Sequence, residues 1–456
     1  MEERDCYAEE KGGGPLSGSD AQGYQSLCTE KEEMKDQDQD QGQGRPADIA
    51  PIRIKLGLIV PSNEYNAHNI EMIRHNVISK RSVTFCAEQF KNDRFPYEIV
   101  DVCVVTEAAA SLFDIVITEE AQLDERVLAR NSICIVLDIG AGKSEFAAIQ
   151  GIDIIPSSEK IFFIGVNDCL REIARQAEQK FTLEEGCLDL GYVDSIIRYP
   201  VAFCQSCGNI YKTEGPCGCG DEARLKKNIL RLGGQAVDIS DIAEAVYDEK
   251  ADALAEFCKR YLDGLFRFRG MNKAQLDTIV LTGGGAEIFG QRLKERIQKY
   301  AGEFVRITKA GRATWTALNG LGKYALYKDH HNPKTFDKYI FVDPGNANTK
   351  AKCVGVGGQE FVKPVLMQTK IATPLKQPSF SLKKVNPMLD LDIKISSEDG
   401  RENKGDGHFF VSYLANRGKD TQIRDLIIPK TSDDLIYTMI HTAIGVMLAR
   451  NKAARK

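Results

Sequence analysis

Residues 338–352 read KYIFVDPGNANTKAK. An apolar run, 339–342, ends at Asp343, a Pro-Gly turn follows, and Asn348, Lys350 and Lys352 then alternate with smaller residues. This pattern predicts strand, tight turn, strand. Gly345 lets the backbone bend sharply and bring N–H donors close to an anion. An aspartate at a strand end beside bound phosphates can hold Mg²⁺ through its waters.

Two further stretches repeat the theme. SICIVLDIGAGKSEFA (132–147) is a strand ending at Asp138 and running into Gly140, Ala141, Gly142 and Lys143. DTIVLTGGGAEIFG (277–290) is a strand, a turn of Gly283, Gly284 and Gly285, and a helix start at Glu287. One such turn is weak support for a nucleotide site, because Gly-rich hairpins are common; three together are much stronger. GAGKS (140–144) imitates the end of a P-loop, but that pattern requires glycine where this chain has Leu137, so the P-loop reading fails.

The rest of the chain alternates strand and helix patterns: strands at 54–60 and 98–106, helices at 163–181, 239–266 and 433–452. This alternation predicts an α/β architecture. Residues 1–51 differ. GGG at 12–14, DQDQDQGQG at 36–44 and few apolar side chains cannot offset the entropy of ordering, so a disordered acidic tail is expected there. Acidic side chains outnumber basic ones in that tail. The whole chain carries a net charge of -5 over 456 residues, which argues against direct nucleic-acid binding. No apolar run is long enough for a membrane span and no secretory leader is evident, so a soluble, cytoplasmic protein without membrane contact is expected.

Thirteen cysteines in a large chain of this kind favour reduced thiols and a metal site over a disulfide scaffold. Cys204, Cys207, Cys217 and Cys219 are spaced C-x₂-C-x₉-C-x-C. Two close pairs on Gly-rich knuckles can surround one tetrahedral ion, and four thiolates favour Zn²⁺, with iron second. A zinc-module DNA-binding protein ranks last, because Lys212 is nearly alone as a base in this insert.

The three turns resemble those of the actin, heat-shock chaperone and sugar-kinase superfamily, and within it the ParM-type plasmid-segregation actins. FVDPGNANTK (341–350) resembles the first phosphate motif, with Asp343, Gly345, Asn346, Asn348 and Lys350 as candidate nucleotide contacts. LDIGAGKSEFA (137–147) resembles the second phosphate motif and IVLTGGGAE (279–287) the adenosine motif. TEAAASLF (106–113) resembles the segment whose Glu, here Glu107, positions the attacking water. IGVNDCLREI (164–173) resembles the turn and helix behind the second phosphate motif. TALNGLGKYAL (316–326) resembles the closing helix, and FFVSYLANRG (409–418) a first-lobe strand. Two departures stand out: Gly142 and Lys143 replace the usual threonine pair, with Lys143 open to phosphate contact or solvation, and Pro344 removes one N–H from the first turn.

In that superfamily the first phosphate motif lies near the N-terminus; here it follows the adenosine motif. IKLGLIVPSNEY (54–65) resembles what normally comes directly after the helix at 433–450. The resemblance therefore implies a two-lobed, ribonuclease H-like fold, circularly permuted. Residues 52–130 would be the second part of lobe I. Residues 131–313 would form lobe II with the zinc insert 204–219, and 314–337 the closing helix and linker. Residues 338–456 would be the first part of lobe I. It implies an ATPase (ATP or GTP with Mg²⁺) that polymerises with itself and segregates plasmid DNA through a ParR-like adaptor on the plasmid centromere. Asp343 and Asp138 would serve Mg²⁺, Lys350 the phosphates, and Glu107 with Asp138 catalysis. A non-polymerising superfamily enzyme, or an ATP-dependent activator with a four-cysteine metal site, is the alternative.

Overall fold

The computed structural model describes residues 50–454, apart from 87–92, 125–131, 151–152, 156, 212, 234, 269–271, 304, 311–312, 331–334, 346–347, 359–362, 369, 375–389, 399–406, 413–420 and 426–433. The acidic stretch 1–49, Asn346, Lys212, Pro333 and residues 413–418 of the lobe I strand match thus lie outside the described residues. The described residues belong to one unit, Ala50–Lys456.

The apolar runs read from the sequence become the central strands of two sheets. The smaller sheet contains β4 (Ile133–Ile139), β5 (Ser144–Gln150), β6 (Asp153–Ile154), β7 (Lys160–Phe162), β14 (Leu276–Thr282) and β15 (Arg306–Lys309), ordered β15-β14-β4-β5 with β6 and β7 both on β5. β5 runs antiparallel to β4, whereas β14 and β15 run parallel to it. The larger sheet contains β16 (Lys338–Pro344), β17 (Asn348–Gly355), β18 (Val365–Gln368), β1 (Ile52–Val60) and β3 (Arg94–Thr106), ordered β18-β17-β16-β1-β3. Again the hairpin strand β17 is antiparallel to the central β16, and β1 and β3 are parallel to it. Five more strands extend this sheet past β3: β2 (Lys80–Phe85), β20 (Asp390–Ser397), β21 (Gly407–Ser412), β19 (Lys370–Pro374) and β22 (Thr421–Asp425).

Five strands of the larger sheet, β3-β1-β16-β17-β18, therefore repeat the order and directions of β15-β14-β4-β5-β6 in the smaller one, but the chain visits them differently. In the smaller sheet it passes from the central strand through the hairpin and on to the parallel strands β14 and β15. In the larger sheet the parallel strands β1 and β3 come first in the chain, and the central hairpin comes after them. Helices follow the same scheme: α6 (Ala286–Ala301) lies between β14 and β15, and α1 (Ala67–Val77) between β1 and β3. Similarly, α7 (Thr316–Lys328) follows β15 and α2 (Glu107–Val116) follows β3.

Strand alternation sorts the side chains into three cores. On β4, Ile133, Ile135 and Leu137 face one core together with α3 (Val166–Phe181), α5 (Ser240–Phe268) and α6. Cys134 and Val136 face the other way, into a second core shared with Tyr339 and Phe341 of β16, α2 and α7. Ile340 and Val342 turn to a third core beneath α8 (Asp434–Ala454). α2 and α7 are thus packed between the two sheets. Their close approach needs small residues: Ala108, Ala109, Ala110 and Ser111 are all buried, and a Cβ on Gly320 would lie 1.8 Å from the Ala110 carbonyl oxygen. α8 is buried on nearly every side, as expected of a helix apolar all round. Among the described residues no helix is long and apolar enough to cross a membrane.

A separate small sheet lies in the chain between α4 (Leu190–Arg198) and α5. It contains β8 (Val201–Phe203), β9 (Ile210–Tyr211), β10 (Gly215–Pro216) and β11 (Glu222–Lys226), ordered β10-β11-β8-β9, and the hairpin β12 (Ile229–Leu232)–β13 (Gln235–Asp238) follows.

Candidate functional site

In open α/β sheets ligands bind beyond the carboxyl ends of the parallel strands. Here those ends carry Asp343 (β16), Asp138 (β4), Thr282 with Gly283 just beyond it (β14), Ser62 just after β1, and Thr106 at the end of β3 with Glu107 next to it. Asp138 ties several together. Its buried carboxylate accepts hydrogen bonds of 2.7 Å from both Ser111 Oγ on α2 and Thr282 Oγ1 on β14. The third turn is pressed onto the second: Gly285 N donates to the Ile139 carbonyl at 2.8 Å. Gly283 has φ +78°, and a Cβ there would meet the Ile139 carbonyl oxygen at 2.5 Å and Asp138 Oδ1 at 2.6 Å. Glycine is therefore required both for the backbone angle and for the contact.

The second turn closes through Gly140 N donating to the Lys143 carbonyl at 2.8 Å. Behind it, the amides of Val166 and Asn167 at the start of α3 donate to the carbonyls of Gly140 and Ala141 at 3.1 and 2.7 Å. The first turn is tighter. Gly345 N donates to the Asp343 carbonyl at 3.0 Å, with Pro344 between them in the place where its fixed φ suits an inverse γ-turn. Lys350 crosses this hairpin to Asp343, Nζ–Oδ2 2.8 Å, its register partner on β17. Asn348 opens β17 on the exposed side.

Four carboxylates and two ammonium groups meet here: Asp138, Glu107, Glu145 and Asp343 with Lys143 and Lys350. Burial pushes the Asp138 carboxyl up to about 7, and the charge of Glu107 adds to the rise. Burial works against the Lys350 charge, yet Asp343, Glu107 and Asp138 together hold the ammonium above the usual lysine range. The cluster carries more negative than positive charge in a desolvated setting. A hard divalent cation relieves that condition, and the donors are the oxygen ligands Mg²⁺ takes.

Sequence reading left Lys143 open to phosphate contact or solvation. It is buried and ion-paired instead, with Glu107 Oε2 at 3.3 Å and with Glu145 Oε1. Ser62, Ser111, Thr282 and Glu145 escaped sequence reading. Hydroxyls at strand ends leave no periodic signal, and Glu145 sits in an apolar strand where a buried acid is not expected. Glu287 in the first turn of α6 accepts from Thr314 Oγ1 at 2.9 Å. An open cavity of about 290 Å³ runs along α6 and β15, lined by Leu281, Glu287, Gln291, Lys294 and Lys309, and does not reach the carboxylate cluster.

The cysteine insert forms two matching knuckles. Gly208 N donates to the Cys204 carbonyl at 2.9 Å and Gly220 N to the Cys217 carbonyl at 3.0 Å. The four sulfurs lie within 4.8 Å of one another, with Cys204–Cys219 at 3.5 Å, Cys207–Cys217 at 3.3 Å and Cys217–Cys219 at 3.2 Å. A tetrahedron of Zn–S bonds of about 2.3 Å has edges of roughly 3.8 Å, so small adjustments suffice to seat an ion. Backbone N–H at Cys219 and the Tyr211 hydroxyl hold the Cys217 thiol down to about 6, while its sulfur in turn pushes the Cys219 thiol up to about 12 and helps raise that of Cys207; with no cation among the sulfurs, the network favours a single thiolate. The other described cysteines sit singly, Cys134, Cys169, Cys258 and Cys353 among them in the interior.

No protein-family model matches the sequence, and neither does any curated protein. Solved structures similar to this chain include an archaeal actin homolog, Ta0583, at 11% identity and TM-score 0.43, covering 61% of this chain and 70% of that one. A ParM hybrid protein from Bacillus thuringiensis with ADP, containing two ParM mutants, matches at 15% identity and TM-score 0.39, covering 86% and 50%. A 15-stranded ParM filament from Clostridium botulinum matches at 11% identity and TM-score 0.39, covering 58% and 64%.

Proposed function

We propose that this chain is an actin-like nucleoside triphosphatase whose motifs run in circularly permuted order. The observation that carries the reading is the meeting of three glycine turns, two strand-end aspartates and Glu107 at the carboxyl ends of two sheets that share a five-strand order. The permutation has its own support. Joining the end of α8 to the start of β1 would make the chain visit the larger sheet in the order it visits the smaller one.

In this reading the turns 345–348 and 140–142 cradle the phosphates with backbone N–H groups, and Lys350 balances their charge. The turn 283–285 and Glu287 take the nucleoside end. Asp343 and Asp138 would hold Mg²⁺ through its waters, which would neutralise charge on the transferred phosphoryl group. Glu107 accepts a hydrogen bond from the attacking water and fixes its direction. Ser111 and Thr282 keep the Asp138 carboxylate oriented. The four cysteines would hold one structural Zn²⁺, a closed site with no open position.

The resemblance to ParM-type proteins supports self-assembly into a filament driven by ATP or GTP, hydrolysis that destabilises the polymer, and plasmid DNA segregation through an adaptor. A second reading, a non-polymerising enzyme with an iron–sulfur centre, is kept by the same four sulfurs, since iron also takes thiolate sets. Light scattering of the purified protein with Mg²⁺ and ATP or GTP tests the first reading. Nucleotide-dependent scattering that decays as phosphate is released is the expected result; hydrolysis without scattering, with iron in the protein, favours the second.

A further inference from the structure

Lys143 stands in the middle of a row of four side chains drawn from three segments of the chain. Ser62 Oγ donates to Glu145 Oε2 at 2.7 Å, Glu145 Oε1 pairs with Lys143 Nζ, and Lys143 Nζ lies 3.3 Å from Glu107 Oε2. Lys143 directly precedes β5 and Glu145 is its second residue, so one short stretch of chain supplies both the ammonium and its anchor. Both oxygens of Glu145 are engaged, and its side chain is 1% exposed, so it cannot swing. A lysine stem carries four torsions; burial and the Glu145 anchor remove that freedom. Glu107, at the first position of α2, keeps 17% of its side chain exposed, which leaves it reachable by water.

We infer that Lys143 is a positioning residue, whose anchored ammonium aims the Glu107 carboxylate at the attacking water. The inference rests on the nucleotide-hydrolysis reading above. A direct phosphate contact is the competing role. It is disfavoured because one ammonium between two carboxylates makes a triad of net negative charge, which repels phosphate. The same triad suits an aiming device: the anchor on one side is fixed by Ser62, so the ion pair on the other side selects one rotamer of Glu107.

Steady-state phosphate release by the full chain with Mg²⁺ and ATP tests this with Lys143→Met, Lys143→Arg, Glu145→Gln and Glu107→Gln. Loss of aim lowers kcat by about tenfold to hundredfold in Lys143→Met, with KM within about twofold of the parent. Lys143→Arg recovers most of the loss, and Glu145→Gln falls between. Lys143→Met adds nothing in the Glu107→Gln background, because the two act on one step. A raised KM with unchanged kcat, or additive effects of the two changes, overturns the inference. A second readout needs no turnover. In protein labelled at the glutamate carboxyl carbon, the Glu107 resonance, assigned by its loss in Glu107→Gln, moves in Lys143→Met and returns in Lys143→Arg. An unmoved resonance refutes the pairing. A resonance that moves in a protein without any nucleotide hydrolysis sinks the hydrolase reading and leaves the pairing standing.

Discussion

Replacing Cys204 and Cys207 together by serine should unfold the cysteine insert and leave the two main sheets intact. The insert's own core is small: Ala202, Cys204, Cys217 and Ala223 are its buried residues, with Tyr211 against them. Burying such short side chains contributes about 4 kcal/mol at roughly 0.8 kcal/mol per methylene-sized group, well short of the entropy of ordering residues 204–219, about 1–2 kcal/mol for each of them. The fold of the insert therefore depends on the metal it binds. The main cores share none of the insert's residues, so their melting temperature should hardly move. Metal analysis should give about one zinc per parent chain and under a tenth in the variant. Limited proteolysis should cut the variant within the insert while the parent resists. An insert that resists protease in metal-free protein, or parent protein that carries no metal after careful preparation, would refute the reasoning.

Other changes test other parts of the account. Glu107→Ala should bind nucleotide like the parent and hydrolyse it at least about tenfold more slowly, so that any polymer persists; a parent rate of phosphate release removes Glu107 from its role. A chain running from 338 to 452 and then from 52 to 327 should fold and bind nucleotide, because each sheet keeps its strand order; an insoluble product across several joining linkers would count against the permutation. Asp138→Asn should stabilise the nucleotide-free protein at high pH. The folded carboxyl sits at about 7 against an ordinary 3.8, so stability is full below the ordinary value and is lost as pH rises through 7. An amide escapes that loss, up to about 4 kcal/mol, and still accepts from Ser111 and Thr282. Melting curves that differ from the parent equally at pH 5 and pH 8.5 would contradict the burial argument.

The central strands of both sheets were legible because each is buried on two faces and reads as an unbroken apolar run: β4, β14 and β16 begin and end within a residue or two of the runs quoted from the sequence. The three glycine turns were legible for a related reason, since the chain must reverse or approach a neighbour closely just where the run stops. Strands β2 and β19 to β22, which widen the larger sheet, were not, apart from part of β21. Polar residues interrupt them, and their pairing depends on partners distant in sequence. Helices α1 and α4 escaped as well; each is short and its apolar face is narrow. At the site the glycines and strand-end acids carried local signals. The hydroxyls on Asp138 come from α2 and β14, and Glu145 meets Ser62 across 83 positions of sequence. Such partnerships exist only once the sheets are assembled. Lys143 shows the same limit: its position in a polar turn suggests solvent, and only assembly reveals the two carboxylates that bury it.

Release of inorganic phosphate from Mg·ATP and Mg·GTP by the full chain, measured beside Asp343→Asn, tests the nucleotide site most directly. The account predicts turnover of at least one of the two nucleotides by the parent and a loss of at least about hundredfold in the variant. Absence of turnover with both nucleotides, or a variant as active as the parent, would contradict it.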